Sequence, residues 1–155
     1  MKSKIITREG FQKLNKELIH LWREVRPEVT KMVAWAASLG DRSDNADYQT
    51  NKQALRKLDR RIRFLEVTLA DIQVVDYNSQ QDGKVFFGAW VKLEDENGKT
   101  LKLRIVGPEE IYNTTDYISI DSPMARACIG KSADDAIVVN APNEKHYWTI
   151  IAISY

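Results

Sequence analysis

Two apolar stripes with helical spacing flank one short polar segment, and that arrangement permits few folds. The first stripe is Phe11, Leu14, Leu18, Leu21, Val25, Val29, Met32, Ala36 and Leu39, in steps of three or four. The second is Leu55, Leu58, Ile62, Leu65, Leu69 and Ile72, which alternates strictly between the two steps. Such spacing lines one face of a helix. Antiparallel pairing sets Val29 against Leu58, Val25 against Ile62, Leu21 against Leu65, Leu18 against Leu69 and Leu14 against Ile72. The numbers in every pair sum to 86 or 87, so one register serves the whole seam, with its midpoint near residue 43. An antiparallel coiled-coil hairpin is therefore expected, with Gly40-Asp41-Arg42-Ser43-Asp44-Asn45 at its tip. A helix of about 30 residues rises roughly 45 Å, which would hold that tip far from the hairpin's base.

Local signals refine the outline. Thr7 is placed to cap a helix starting at Arg8, with Glu9 in its first turn. The successive steps of four at Leu21, Val25 and Val29 are a stutter, and Pro27 lies inside it, so a kink is expected near Arg23–Pro27. Gly40 is suited to end the helix in a left-handed conformation. The second helix should start after Asn45 and run to about Val75. Residues 78–83 read as a polar linker, after which the period becomes strand-like. Lys84–Glu94 and Lys99–Val106 flank an Asn97-Gly98 hairpin signal. Ser122-Pro123 opens a short helix reaching about Ile129, and Ala136–Asn140 and His146–Ser154 read as further strands around Pro142-Asn143. The expected class is α+β: a coiled-coil hairpin over 1–77, a linker over 78–83, and a small β-rich domain with one short helix over 84–155.

The charges bound the partners. With a formal net charge of +1, affinity for nucleic acid would have to come from local clustering. A single cysteine, Cys128, excludes an internal disulfide and a cysteine-cluster metal site. The longest apolar run, Val85–Val91, is far short of the roughly 20 residues of a membrane helix. The N-terminus lacks the apolar stretch of a signal peptide, so a cytoplasmic protein without membrane contact is expected.

Two groups of residues could carry chemistry. Asp41 and Asp44 are three apart in a turn, and two such oxygens suit a hard ion such as Mg²⁺ without closing a site around it. By spacing alone they serve equally as ordinary loop acids, with Asp44 or Ser43 capping the second helix. Lys52, Arg56, Lys57, Arg60, Arg61 and Arg63 stand against the single acid Asp59. Lys52, Arg56, Arg60 and Arg63 form one stripe away from the apolar seam, suited to a phosphate backbone. The alternative is a solvated flank partly paired with Glu24 or Glu28 across the hairpin. His20 and His146 are isolated, and Cys128 sits among apolar neighbours as a small core residue.

The run Trp22-Arg23-Glu24, Arg26-Pro27-Glu28-Val29-Thr30 and Trp35 through Tyr48 resembles the bacterial transcript cleavage factors of the GreA/GreB family, closer to GreB than to GreA. The resemblance extends nearly end to end, through Asp59-Arg60-Arg61, Gly83–Val91 and Tyr117–Ala127. It implies a finger entering the secondary channel of RNA polymerase and an FKBP-like domain docking at the channel rim. It further implies that Asp41 faces a Mg²⁺ shared with the polymerase while Asp44 orients that ion or its water. The basic stripe would hold the extruded RNA 3′ end, and Asp121-Ser122-Pro123 would contact the polymerase. On this reading the chain is no enzyme but an activator, expected to be monomeric, of RNA cleavage by backtracked polymerase. A non-catalytic channel regulator is the alternative. An FKBP-like fold alone also suggests prolyl isomerisation, for which no residue here argues. Two positions depart from the family: Asp44 stands where Glu is usual, and Gln53 interrupts the basic region.

Overall fold

The computed structural model describes residues 2–40 and 44–155, so the expected tip acid Asp41, with Arg42 and Ser43, lies outside the described residues. The chain forms two compact units, Phe11–Asp71 and Met1–Gly10 together with Ile72–Tyr155.

In the helical unit, α1 (Arg8–His20) passes through a π-helical turn (Leu21–Val25) into α2 (Arg26–Ala37), and α3 (Ala46–Asp71) returns along it. Where a kink is expected at Arg23–Pro27, the structure has a π turn over Leu21–Val25, in which the Arg26 N–H donates to the Leu21 carbonyl five residues back. Two consecutive steps of four add a residue to the heptad, and the wider turn accommodates it. Pro27 has no N–H to donate, so the hydrogen-bond ladder is interrupted there in any case. Leu14, Ala36, Ile62 and Leu65 are buried along the seam, and Leu18, Leu21, Val25, Val29, Leu55, Leu58 and Leu69 are half-buried.

The stripe departs from expectation towards the tip. Met32 and Leu39 are 46% and 55% exposed, while Val33 and Ala37 are half-buried in their place. The inward row there lies one residue along from the stripe. The helix also ends at Ala37, before Leu39, and Gly40 follows with φ +135, a region open to glycine because it lacks a Cβ. Among the described residues, Arg61 and Arg26 each make an ion pair that joins the arms. The Arg61 guanidinium donates twice to Glu17, at 2.7 and 2.9 Å, and Arg26 Nε donates to Asp59 at 2.9 Å. The bond from Arg61 holds the Glu17 carboxyl below its usual range.

α3 stops at Asp71 rather than near Val75, because the chain enters a short strand. β2 (Gln73–Val74) pairs in parallel with β1 (Ile5–Ile6). Neither two-residue strand has the length to show a period, and Ile72 extends the helical stripe past the true helix end. Thr7 is the expected cap: its hydroxyl accepts from the Gly10 N–H at 3.1 Å. Glu110 then locks this corner by accepting from the N–H groups of Thr7 at 3.0 Å and Gly107 at 2.7 Å, and from the Thr7 hydroxyl. A Cβ on Gly107 would lie 2.1 Å from the Ile5 carbonyl oxygen, so only glycine permits the approach.

The larger sheet contains β3 (Trp90–Asp95), β4 (Thr100–Val106), β5 (Tyr117–Ser119), β6 (Ala136–Asn140) and β7 (Lys145–Ser154), in the order β5-β4-β3-β7-β6. All neighbours are antiparallel except β4 and β5. Val91 and Leu93 alternate with Lys92 and Glu94, placing the apolar pair inward. With Leu103, Ile105, Ile137 and Ile150 they pack against Ala125 and Cys128 of α4 (Pro123–Cys128). Burial at that depth pushes the Cys128 thiol up to about 11, as befits an unreactive core residue. The expected Asn97-Gly98 hairpin is present, with Asp95 accepting from the Asn97 and Lys99 N–H groups at 2.9 and 2.8 Å. The first strand is shorter than expected, starting at Trp90 rather than Lys84. Gly83 and Gly88 turn the chain with φ +84 and +90. Residues 78–83 carry a 3₁₀ turn (Ser79–Gln81) capped by Asn78.

Candidate functional site

Asn45 bridges the end of α2 and the start of α3. Its side-chain carbonyl accepts from the Tyr48 N–H at 3.0 Å, which caps α3. Its amide donates to the Ala36 carbonyl at 2.6 Å, in the last turn of α2, an oxygen that also accepts from the Leu39 N–H at 3.1 Å. One side chain thus closes both helix ends and ties the arms together. The alternative reading of the tip acids gives this cap to Asp44 or Ser43, whereas the structure gives it to Asn45. Asn is as good an N-cap as either, so residue preference could not decide among adjacent candidates. Asp44 is left exposed and makes no hydrogen bond or ion pair with another described residue. An exposed carboxylate with no partner among the described residues is available to an incoming cation or hydrogen-bond donor. Among the described residues no group of three or more His, Cys, Asp or Glu could hold a metal by itself.

The cationic stripe runs along α3 away from this turn. At 3.6 residues per turn, Lys52, Arg56, Arg60 and Arg63 fall within roughly 80° of arc, centred about 140° around the helix from the seam. Arg56, Lys57, Arg60 and Arg63 are exposed and pair with no described residue. Lys52 is half-buried, its ammonium 5.8 Å from the Tyr48 ring centroid. Arg61 is the member tied to the other arm, through Glu17. The pairing partners considered above are engaged elsewhere: Glu24 lies 2.8 Å from His20, and Glu28 lies 3.4 Å from Lys31. Four adjacent guanidinium or ammonium groups thus remain unneutralised on one face.

Asp121, Ser122 and Pro123 all have structural duties in the β-rich unit. Asp121 accepts from the Ser3 N–H at 2.8 Å and from its hydroxyl, while Ser122 caps α4 by accepting from the Ala125 N–H at 3.2 Å. Pro123 starts the helix, where its missing N–H costs nothing. The Ser3 hydroxyl holds the Asp121 carboxyl below its ordinary 3.8. A depressed carboxyl stabilises the fold above the ordinary value, and that contribution is lost as pH falls through the lower folded value. Carbon-detected NMR titration is therefore expected to place the Asp121 midpoint below 3.8, and Ser3→Ala to raise it.

Comparison with known proteins matches this arrangement along its whole length. The model "Transcription elongation factor, N-terminal" covers residues 4–74, and "Transcription elongation factor, GreA/GreB, C-term" covers residues 80–155. Transcription elongation factor GreB of Pseudomonas putida is 57% identical over 155 residues, covering all of this chain and 96% of that protein. Its Vibrio vulnificus counterpart is 58% identical over 156 residues, covering all of this chain and 98% of its own. A solved structure of the transcription factor Gfh1 aligns with 98% of this chain and 97% of its own, at 26% identity and a TM-score of 0.47. The two family models and the full-length identities establish that the chain belongs to the GreA/GreB family of transcription elongation factors.

Proposed function

We propose that this chain enters the secondary channel of RNA polymerase and activates hydrolysis of backtracked RNA by the polymerase, supplying acids in trans and cleaving nothing alone. The observation that carries the reading is Asp44: exposed, without a partner among the described residues, and relieved of helix capping by Asn45. With Asp41, which is outside the described residues, it would share a Mg²⁺ with the polymerase. That fits an ion usually bound by one or two carboxylates plus substrate phosphates. When bound, such an ion neutralises charge on the phosphodiester and acidifies a coordinated water. Asp41 would face the ion, and Asp44 would orient it or its water.

Arg56, Lys57, Arg60 and Arg63, with Lys52 and Arg61, would hold the extruded RNA 3′ end by its phosphates. The Asp121-Ser122-Pro123 loop would dock on the polymerase. Because its polar side-chain atoms serve the fold, that contact would rest on the loop's shape and backbone. For Arg56→Ala/Arg60→Ala protein, the plot of log affinity for single-stranded RNA against log salt should flatten by about 1.4, since each lost phosphate contact on a single strand accounts for about 0.7.

The test uses stalled, backtracked polymerase complexes with Mg²⁺. Adding the chain should shorten the RNA and leave an extendable 3′ end, while the chain alone leaves free RNA intact. Binding and altered elongation without shortened transcripts would instead identify a non-catalytic regulator.

A further inference from the structure

We propose that Phe64 is a base-stacking platform for single-stranded RNA, placed on the cationic face of α3 one turn beyond Arg60. The inference rests on the reading of that face as an RNA contact and adds to it a residue that reads bases rather than phosphates.

Phe64 lies on the same side of the helix as Arg60, Arg63 and Lys57, roughly 140° from the apolar seam, so it takes no part in pairing the arms. Its side chain is 41% exposed and Val67, three residues on, is 58% exposed. Arg60 and Phe64 are four residues apart, which makes them neighbours about 5–6 Å apart on the helix surface. The Arg61 guanidinium carbon sits 5.4 Å from the Phe64 ring centroid. Arg61 is itself held by its two hydrogen bonds to Glu17 at 2.7 and 2.9 Å. Ring and guanidinium therefore form a braced pair beside the row of unpaired cations.

An exposed phenyl ring within a cationic face is a surface that a nucleic-acid groove can use. Cations attract the backbone without regard to sequence, and an aromatic ring among them offers a flat surface to any base. Bases splayed from single-stranded RNA stack on aromatic rings and on arginine planes alike. Phe64 has no hydrogen-bonding group, so it would hold whichever base reached it. That property suits a factor meeting transcripts of every sequence. Charge complementarity selects a polyanion for this face, and the ring selects one that carries bases.

The test measures binding of a labelled oligoadenylate to the full chain by fluorescence anisotropy at low salt. Phe64→Ala should weaken binding by about five- to thirty-fold without changing the salt slope, because phosphate contacts remain. Phe64→Trp should bind at least as tightly as the unaltered chain, and Phe64→Leu should not restore affinity. A ribose-phosphate strand of the same length lacking bases should bind the unaltered and Phe64→Ala proteins alike. The proposal is overturned if Phe64→Ala or Phe64→Leu stays within about twofold of the unaltered chain while Arg56→Ala/Arg60→Ala binding is weakened. If Arg56→Ala/Arg60→Ala protein also binds as the unaltered chain does, or the unaltered chain does not bind, the RNA reading of the whole face fails with it.

Discussion

Backtracked complexes supplied with Asp44→Asn protein are expected to cleave their RNA about 10²-fold more slowly than with the unaltered chain, at equal occupancy of the polymerase. The substitution keeps the side-chain size and removes one negative charge. No packing is lost, because the Asp44 side chain is exposed and bonds to no described residue. No cap is lost either, because Asn45 bonds the Tyr48 N–H. Folding stability should therefore change by less than about 0.5 kcal/mol. A rate defect at saturating factor, with unchanged binding, isolates the charge as the missing element. Asp41→Asn should behave in the same way. The measurement is the single-turnover cleavage rate as a function of factor concentration, which separates the chemical step from docking.

Leu65→Ala should destabilise the hairpin by about 2–5 kcal/mol. Leu65 is 0% exposed on the inner face of α3, and the arms cannot close a cavity there without shifting the whole register. Urea titration followed by far-ultraviolet circular dichroism reads the loss, and amide exchange within α3 assigns it to the helical unit. Met32→Ala is the contrasting variant. The heptad pattern places Met32 on the same seam, yet it is 46% exposed, so its truncation should cost less than about 0.5 kcal/mol. Equal losses at the two positions would mean that the unshifted heptad register, and not the one displaced by a residue, describes the packing.

The arms were legible because apolar spacing reports burial directly, and burial is what pairs them. The stutter before Pro27 was legible for the same reason and became a π turn. What escaped depended on contacts that leave no period. β1 and β2 are two residues each and are specified by the Thr7, Gly107 and Glu110 corner, far apart in sequence. β5 is three residues long and pairs with β4 only after a loop brings it alongside. At the tip, Asp44 and Asn45 are adjacent and similarly able to cap, and the geometry of two helix ends at once decides between them. The cationic stripe could be read from its spacing. Which of its members is neutralised could not, because that depends on how the arms rotate to bring Glu17 to Arg61 and Asp59 to Arg26. Spacing alone puts Phe64 off the seam, and what the fold adds is its exposure and the Arg61 guanidinium beside its ring.

The central claim is that the tip acids complete a Mg²⁺ site only inside the polymerase, and its most direct test is a Mg²⁺ titration of cleavage in stalled complexes. Rates are measured with no factor, with the unaltered chain, and with Asp41→Asn or Asp44→Asn protein at saturating concentration. The account predicts that the unaltered chain lowers the Mg²⁺ concentration giving half-maximal cleavage, and that either variant returns it towards the factor-free value while still binding. An unchanged Mg²⁺ dependence across all four conditions, or full cleavage by the variants, would contradict it.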